Sequence, residues 1–193
     1  YTGAVTLSGG GTRTLDAGGN LLTFTSTVDA AASENLTITG DVDFANTVGG
    51  IGALGDIGVS GDLEVVTGTG SIVDAGAITA ATATIDGQVG VGSTVTSIVI
   101  AGATTLGANV ETTGIQTYTG AVTLGGDIDL SAGGTVQFGT SVTGTADSLT
   151  ISSGDLDLNG AASGLTTLSV AGTSNLGGDV TSSGIQTYTG AVT

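Results

Sequence analysis

The sequence predicts an all-β chain, a right-handed parallel β-helix (β-solenoid) with no α-helix. Three observations predict it. The decapeptide GIQTYTGAVT occurs entire at Gly114–Thr123 and at Gly184–Thr193, and its last six letters form Tyr1–Thr6. Internal repetition decides an architecture before any local reading does. Short runs of alternating apolar and polar residues, ended by Gly, Asn, Asp or Ser, fill the chain, which is the period of half-buried strands. Finally, there is no proline in 193 residues. That absence fits a stack in which nearly every N–H donates to a ladder.

Taken in order, Leu21–Val28 carries Leu22, Phe24 and, one step out, Val28 among threonines. Leu36-Thr37-Ile38 precedes Gly40–Phe44, and Leu63-Glu64-Val65, Ala83-Thr84-Ile85 and Ile98-Val99-Ile100 continue the alternation. Ala75–Thr84 has some helical look, but its β-branched residues and Gly76 argue for strand. From there the pairs Val122 and Leu124, Ile128 and Leu130, Val136 and Phe138, Leu149 and Ile151, Leu156 and Leu158, and Leu168 and Val170 are expected to point inward. Each pair brackets one outward residue. Thr and Val abundance agrees with β preference.

The three tyrosines mark the repeat: Tyr118 stands 117 residues after Tyr1, and Tyr188 stands 70 after Tyr118. These intervals differ by 47 residues, about two rungs of roughly 20 residues. A solenoid gains or loses whole rungs without breaking its core, whereas a closed sandwich does not. Residues 1–193 are therefore expected to form one continuous segment, with sub-repeats of about 1–117 and 118–187 and the next beginning at 188. At about 4.8 Å per strand spacing this makes nine or ten coils, about 45 Å long. Parallel crossovers are right-handed by strong default. Because the chain begins and ends on the same phrase, it is expected to belong to a longer array, its partners being copies of itself head to tail.

Seventeen acidic residues face a single base, Arg13, for a net charge of −16. This imbalance repels phosphate backbones and anionic head groups, so neither nucleic acid nor membrane insertion is expected. High charge signals disorder only where hydrophobicity is low. Here only 9% of residues are charged and mean hydropathy is +0.45, enough to bury a core. There is no Cys, so no disulfide or thiolate site, and no His, the commonest general base and metal ligand. With no Ser-His-Asp set, no thiol and no phosphate loop with its lysine, the chain is not expected to be an enzyme, and no catalytic or cofactor-binding residue is assigned.

The motif Gly-Asp-aliphatic-acidic-aliphatic occurs at Gly40–Phe44, Gly61–Val65, Gly126–Leu130 and Gly154–Leu158. Alternation puts both acids of each pair on one side of the strand. Two readings are open. One is calcium, a hard cation served by carboxylates, with Asp127, Asp129, Asp155 and Asp157 as candidate ligands. The other is a solvated outer face that keeps a fibre soluble, with no cofactor. Thr-x-Thr recurs at Thr37–Thr39, Thr82–Thr84, Thr94–Thr96 and Thr117–Thr119, without one constant spacing, so a flat threonine ladder is not expected. Asn35-Leu36-Thr37 matches a glycosylation sequon. The tyrosines Tyr1, Tyr118 and Tyr188 read either as a sugar-binding platform or as large residues filling a wide rung. Gly120 is a possible corner within that phrase.

The phrase TTGIQTYTGAVTL at 112–124, followed by an LxxGGxVxF stretch at 130–138 and the rung Leu149-Thr150-Ile151 with Leu156-Asp157-Leu158, resembles repeats of filamentous-haemagglutinin-like, β-strand-repeat secreted bacterial adhesins. The resemblance implies a right-handed parallel β-helix, export to the cell exterior or bacterial cell surface, and a fibrous or adhesive role. It brings no catalytic residues. The expected function is thus a structural rod segment of a secreted filament or giant adhesin. The alternative is a module that binds surface glycans or matrix.

Overall fold

The computed structural model describes all 193 residues. It contains nineteen strands and no helix, and Ala75–Ile85 is a strand. Every strand pairing is parallel, and three register columns run the length of the molecule. On the first face Val5, Val28, Val48, Ile72, Val89, Val110, Leu130, Ile151, Val170 and Tyr188 lie one above another. On the second run Leu36, Ile57, Ile78, Ile98, Gln116, Val136, Leu156, Ser174 and Val192. The third stacks Leu22, Val42, Leu63, Ala83, Thr104, Val122, Val142, Ala162 and Val180. The chain visits the three faces in turn and returns nine times. It is a β-solenoid.

A face is built from a short sequence rule. Two inward residues bracket one outward residue, and the remaining residues turn the corner. Between residues 98 and 128 the rule takes six residues: Ile98, Thr104, Val110, Gln116, Val122 and Ile128 each open a face, and the residue two further on is again buried. The same six-residue step runs from Leu168 through Ser174, Val180 and Gln186 to Val192. Three such steps close a coil of 18 residues, as from Ile98 to Gln116. Elsewhere longer corners stretch the coil, up to 24 residues from Val48 to Ile72. Where the corner stays extended, strands run around it unbroken, as in Ile128–Phe138 and Val142–Leu158. Gly120 is indeed a corner. A Cβ there would run into the backbone of Gly102 one coil away, which is why the stack needs glycine at this close approach.

The interior is one contiguous apolar cluster. All twelve residues expected to face inward from Val122 to Val170 are at most 3% exposed. Aromatic rings stack along the axis where they fall in one column. Tyr1 lies on Phe24 with centroids 5.0 Å apart, Phe24 on Phe44 at 5.4 Å, and Tyr118 on Phe138 at 5.6 Å. Such offset pairs add to the burial itself.

The three copies of the repeated phrase occupy three different faces. Tyr1 lies over Phe24 on the third face, with Thr25 N–H donating to its carbonyl. Tyr118 pairs with Ile100 on the second face, and Tyr188 with Val170 on the first. The intervals between copies are therefore not whole numbers of coils. Along the columns they amount to five and two-thirds turns and three and two-thirds turns, and only their difference, 47 residues, is two whole coils.

Candidate functional site

Carboxylates are the chain's only abundant ionisable groups, and their geometry is repetitive. At successive corners a carboxylate or amide oxygen accepts the main-chain N–H of the next coil. Asn35 Oδ1 takes Asp56 N–H at 2.9 Å, and Asp56 Oδ1 takes Ala77 N–H at 2.9 Å. Asp41 takes Asp62 N–H at 2.9 Å, Asp127 takes Ser148 N–H at 2.7 Å, and Asp155 takes Thr173 N–H at 2.8 Å. Corner amides have left the strand ladder and need another acceptor. A charged acceptor makes the stronger bond. The Thr173 N–H holds the Asp155 carboxyl below the usual carboxylate range. Glu34 is likewise held low by the N–H groups of Ala32 and Gly10, at 2.9 and 3.0 Å.

Glu64 is the opposite case. Burial pushes its carboxyl up, and Asp43, directly opposite in register, pushes it further, with Asp86 and Asp62 adding to the effect. Like charges facing each other across a parallel pair are destabilising.

The four calcium candidates fall into two places. Asp127 and Asp129 flank Ile128 on the first face, whereas Asp155 and Asp157 flank Leu156 on the second. Asp127 and Asp155 are engaged with the corner N–H groups above. Asp157 lies between two amides, accepting from Gln137 Nε2 at 2.8 Å and Asn175 Nδ2 at 2.9 Å. Asp129 Oδ1 is buried without a partner. No three acidic groups come close enough together to form a cation site. The sequon is also committed, since the Asn35 side chain holds the Asp56 N–H. Arg13 turns back on the Ser8 carbonyl through Nε at 3.0 Å and through Nη2.

Contrary to expectation, threonines do form a ladder. Thr84, Thr105, Thr123, Thr143 and Ser163 stand in consecutive register on the third face. Uneven corner lengths hide this alignment in the sequence, because each corner absorbs the extra residues before the next strand begins.

Tyr118 does not belong to an exposed platform. It is fully buried, and burial pushes its hydroxyl well above the usual tyrosine range. The hydroxyl donates to Gln116 Oε1 at 3.2 Å, while Gln116 Nε2 donates to the carbonyls of Val110 at 3.1 Å and Ser131 at 2.9 Å. Alternation placed both residues on one side. The closed polar unit they make inside the core was not foreseen, although Gln two residues before Tyr at inward positions was its visible signal. Tyr1 is 56% exposed at one end of the stack.

The surface has shallow depressions. One of about 440 Å³ on the second face is lined by Thr135, Asp155, Asp157, Thr173 and Asn175. Another of about 340 Å³ at a long corner is lined by Gly68, Thr69, Ser71, Asp86 and Gln88. No helix is long and apolar enough to cross a membrane. No family model, curated protein or solved structure matches the chain. The adhesin resemblance rests on the quoted motifs alone.

Proposed function

We propose that this chain is a structural rod segment of a secreted, cell-surface-associated filament or giant adhesin. The observation that carries the reading is how its acids are used. Nine of the seventeen accept hydrogen bonds from main-chain N–H groups. They are committed to holding backbone in place and do not converge on a reacting atom. Stacked parallel ladders on three faces carry load along the axis, and each coil touches only its neighbours. With Arg13 as the one basic side chain, no paired acid and base are at hand, and no enzymatic role is proposed. The test is labelling of intact source cells with an antibody against the folded chain, followed by electron microscopy. Surface label on filaments is the expected result. Label that requires permeabilised cells overturns the reading.

A glycan- or matrix-binding module is the second reading. The second-face depression favours it, because Thr135, Asp155, Asp157 and Asn175 offer the hydroxyls, amide and carboxylates that pair with sugar hydroxyls. A glycan array that shows binding lost on Asp157→Asn would select it over the rod.

A further inference from the structure

We propose that Asn159 is a site of spontaneous covalent modification. Its side-chain amide is lost to attack by the Gly160 main-chain nitrogen, with water as co-reactant, leaving aspartate and isoaspartate at this corner. The inference is independent of the rod reading.

Asparagine is a labile residue, and two facts single this one out. The chain has six asparagines, and Asn159 is the one followed by glycine. A glycine leaves its own nitrogen unshielded and its backbone free to turn. The other five asparagine side chains are engaged. Asn20 Nδ2 donates to the Ala17 carbonyl at 3.1 Å and Asn175 Nδ2 to Asp157 at 2.9 Å. Asn35, Asn46 and Asn109 each accept a main-chain N–H through Oδ1 at 2.8–2.9 Å. Asn159 is exposed, and its side chain makes no hydrogen bond. The stack explains why. Leu158 stands in register with Phe138 and with Leu176, so the residues on either side of Asn159 are Gly139 and Gly177. Neither offers a side chain.

The nucleophile is free as well. Asn159 and Gly160 lie in the corner between Val142–Leu158 and Ala162–Val170. The Asn159 N–H donates to the Phe138 carbonyl at 2.9 Å, and the Ala162 N–H to that of Asp179 at 2.8 Å. Between them, the Gly160 N–H donates to no acceptor. Asp86-Gly87, the one Asp-Gly pair in the chain, is the contrast. There the Gly87 N–H is held by the Val65 carbonyl at 2.7 Å, and a ring cannot close without breaking that bond.

In the first step the Gly160 nitrogen gives its proton to solvent base and bonds to the Asn159 Cγ. The Cγ–Nδ2 bond breaks, and the amide takes up a proton and leaves as ammonia. Water then opens the cyclic succinimide at either carbonyl. Cleavage of the new Cγ–N bond gives aspartate on the original main chain. Cleavage between the residue 159 carbonyl carbon and the Gly160 nitrogen gives isoaspartate, whose main chain runs through Cβ and Cγ. One water enters, one ammonia leaves, and nothing is oxidised or reduced. The isoaspartate form lengthens a corner that has no slack. A Cβ on Gly160 would run into the Thr140 carbonyl, and one on Gly178 into the Gly160 carbonyl. A longer link there displaces Leu158 against Ala162, both buried.

The test is incubation of the whole folded chain at mildly alkaline pH, with peptide mapping by mass spectrometry and enzymatic methyl-labelling of isoaspartate. Asn159 is expected to convert at least about tenfold faster than any other asparagine. The rate should rise with pH, because the attacking nitrogen must shed its proton. Asn159→Gln, which would need a larger ring, should take no label and should melt like the fresh chain. The aged chain should melt about 2–4 °C lower. Asn159→Asp, which adds the charge without lengthening the backbone, should not reproduce that loss. Asn159 left intact in the folded chain overturns the proposal, and conversion of the urea-unfolded chain alongside would show that the corner protects its amide. Conversion spread evenly over the six asparagines, or isoaspartate label retained in Asn159→Gln, overturns it equally. The antibody labelling of cells decides the rod reading separately, and its outcome does not depend on any of these.

Discussion

Gly114–Thr123 and Gly184–Thr193 are the same ten residues in two surroundings. Their local structure is the same. Tyr118 donates to Gln116 at 3.2 Å and Tyr188 to Gln186 at 3.1 Å, and each Gln Nε2 reaches the carbonyl of the valine six residues before it, Val110 at 3.1 Å and Val180 at 3.2 Å. What differs is cover. The first copy lies under Val136 and Phe138 on the second face, and the second copy lies at the end of the stack on the first. The comparison separates two contributions that are usually fused. The phrase supplies its own hydrogen-bonded shape, and the next coil supplies the burial.

The largest expected effect breaks the comparison at the ring. Tyr118→Ala should cost about 3–5 kcal/mol in urea unfolding, the range for removing a buried aromatic. Tyr188→Ala should cost distinctly less, since Tyr188 is only partly buried against the core. Equal losses would show that cover contributes nothing. Next comes the amide. Gln116→Leu leaves the Val110 and Ser131 carbonyls and the Tyr118 hydroxyl without their partner, at about 1–3 kcal/mol. Gln186→Leu should be nearly silent, since water replaces the amide.

The third effect is alkaline. Burial raises both tyrosine hydroxyls, far for Tyr118 and less for Tyr188. A raised folded-state value favours the protonated form, so its contribution is complete below the unfolded value of about 10 and is lost as pH rises above it. Urea midpoints should therefore fall above about pH 10, and Tyr118→Phe should flatten that fall more than Tyr188→Phe.

Smaller effects of opposite sign are expected from two carboxylates. Glu64→Gln should raise the melting temperature at neutral pH by removing repulsion from Asp43, a gain of about 0.5 kcal/mol at this half-buried pair. Asp155→Asn should lower it by weakening the bond to Thr173 N–H. Glu64, held high, favours folding below the ordinary carboxylate value and loses that contribution as pH rises through its own. Asp155, held low, contributes above the ordinary value and loses its contribution on acidification. Melting curves at acid and neutral pH should thus separate the two variants. The smallest effect concerns metal. Chelator should leave the melting temperature unchanged, and a rise of many degrees in millimolar calcium would make Asp127, Asp129, Asp155 and Asp157 ligands after all.

Much of the fold was legible in the residues. Pairs such as Ile128 and Leu130 or Leu156 and Leu158 announce their burial because a strand alternates sides with a period that no neighbour alters. The site-level reading was less legible. That Asp127 would hold Ser148 N–H and Asp155 would hold Thr173 N–H depends on partners 21 and 18 residues away. The Gly-Asp word marks the corner without naming the amide above it. The threonine ladder from Thr84 to Thr143 was missed for the same reason, since its steps of 21, 18 and 20 residues show no single period.

By themselves, the residues determined that this chain is a parallel stack and which aliphatic side chains point inward, and they marked Gly120 as a possible corner. These follow from local rules: alternation, the steric freedom of glycine, and the lack of a proline to interrupt a ladder. The tertiary structure alone decided which face each phrase occupies and which phrase is covered. Face assignment is a sum over every corner before it, and one or two extra residues at Gly133-Gly134 or Ala146 shift all that follows relative to the sequence period. Cover depends on what the next coil brings, so ten identical residues hold Tyr118 in the dry core and leave Tyr188 only partly buried.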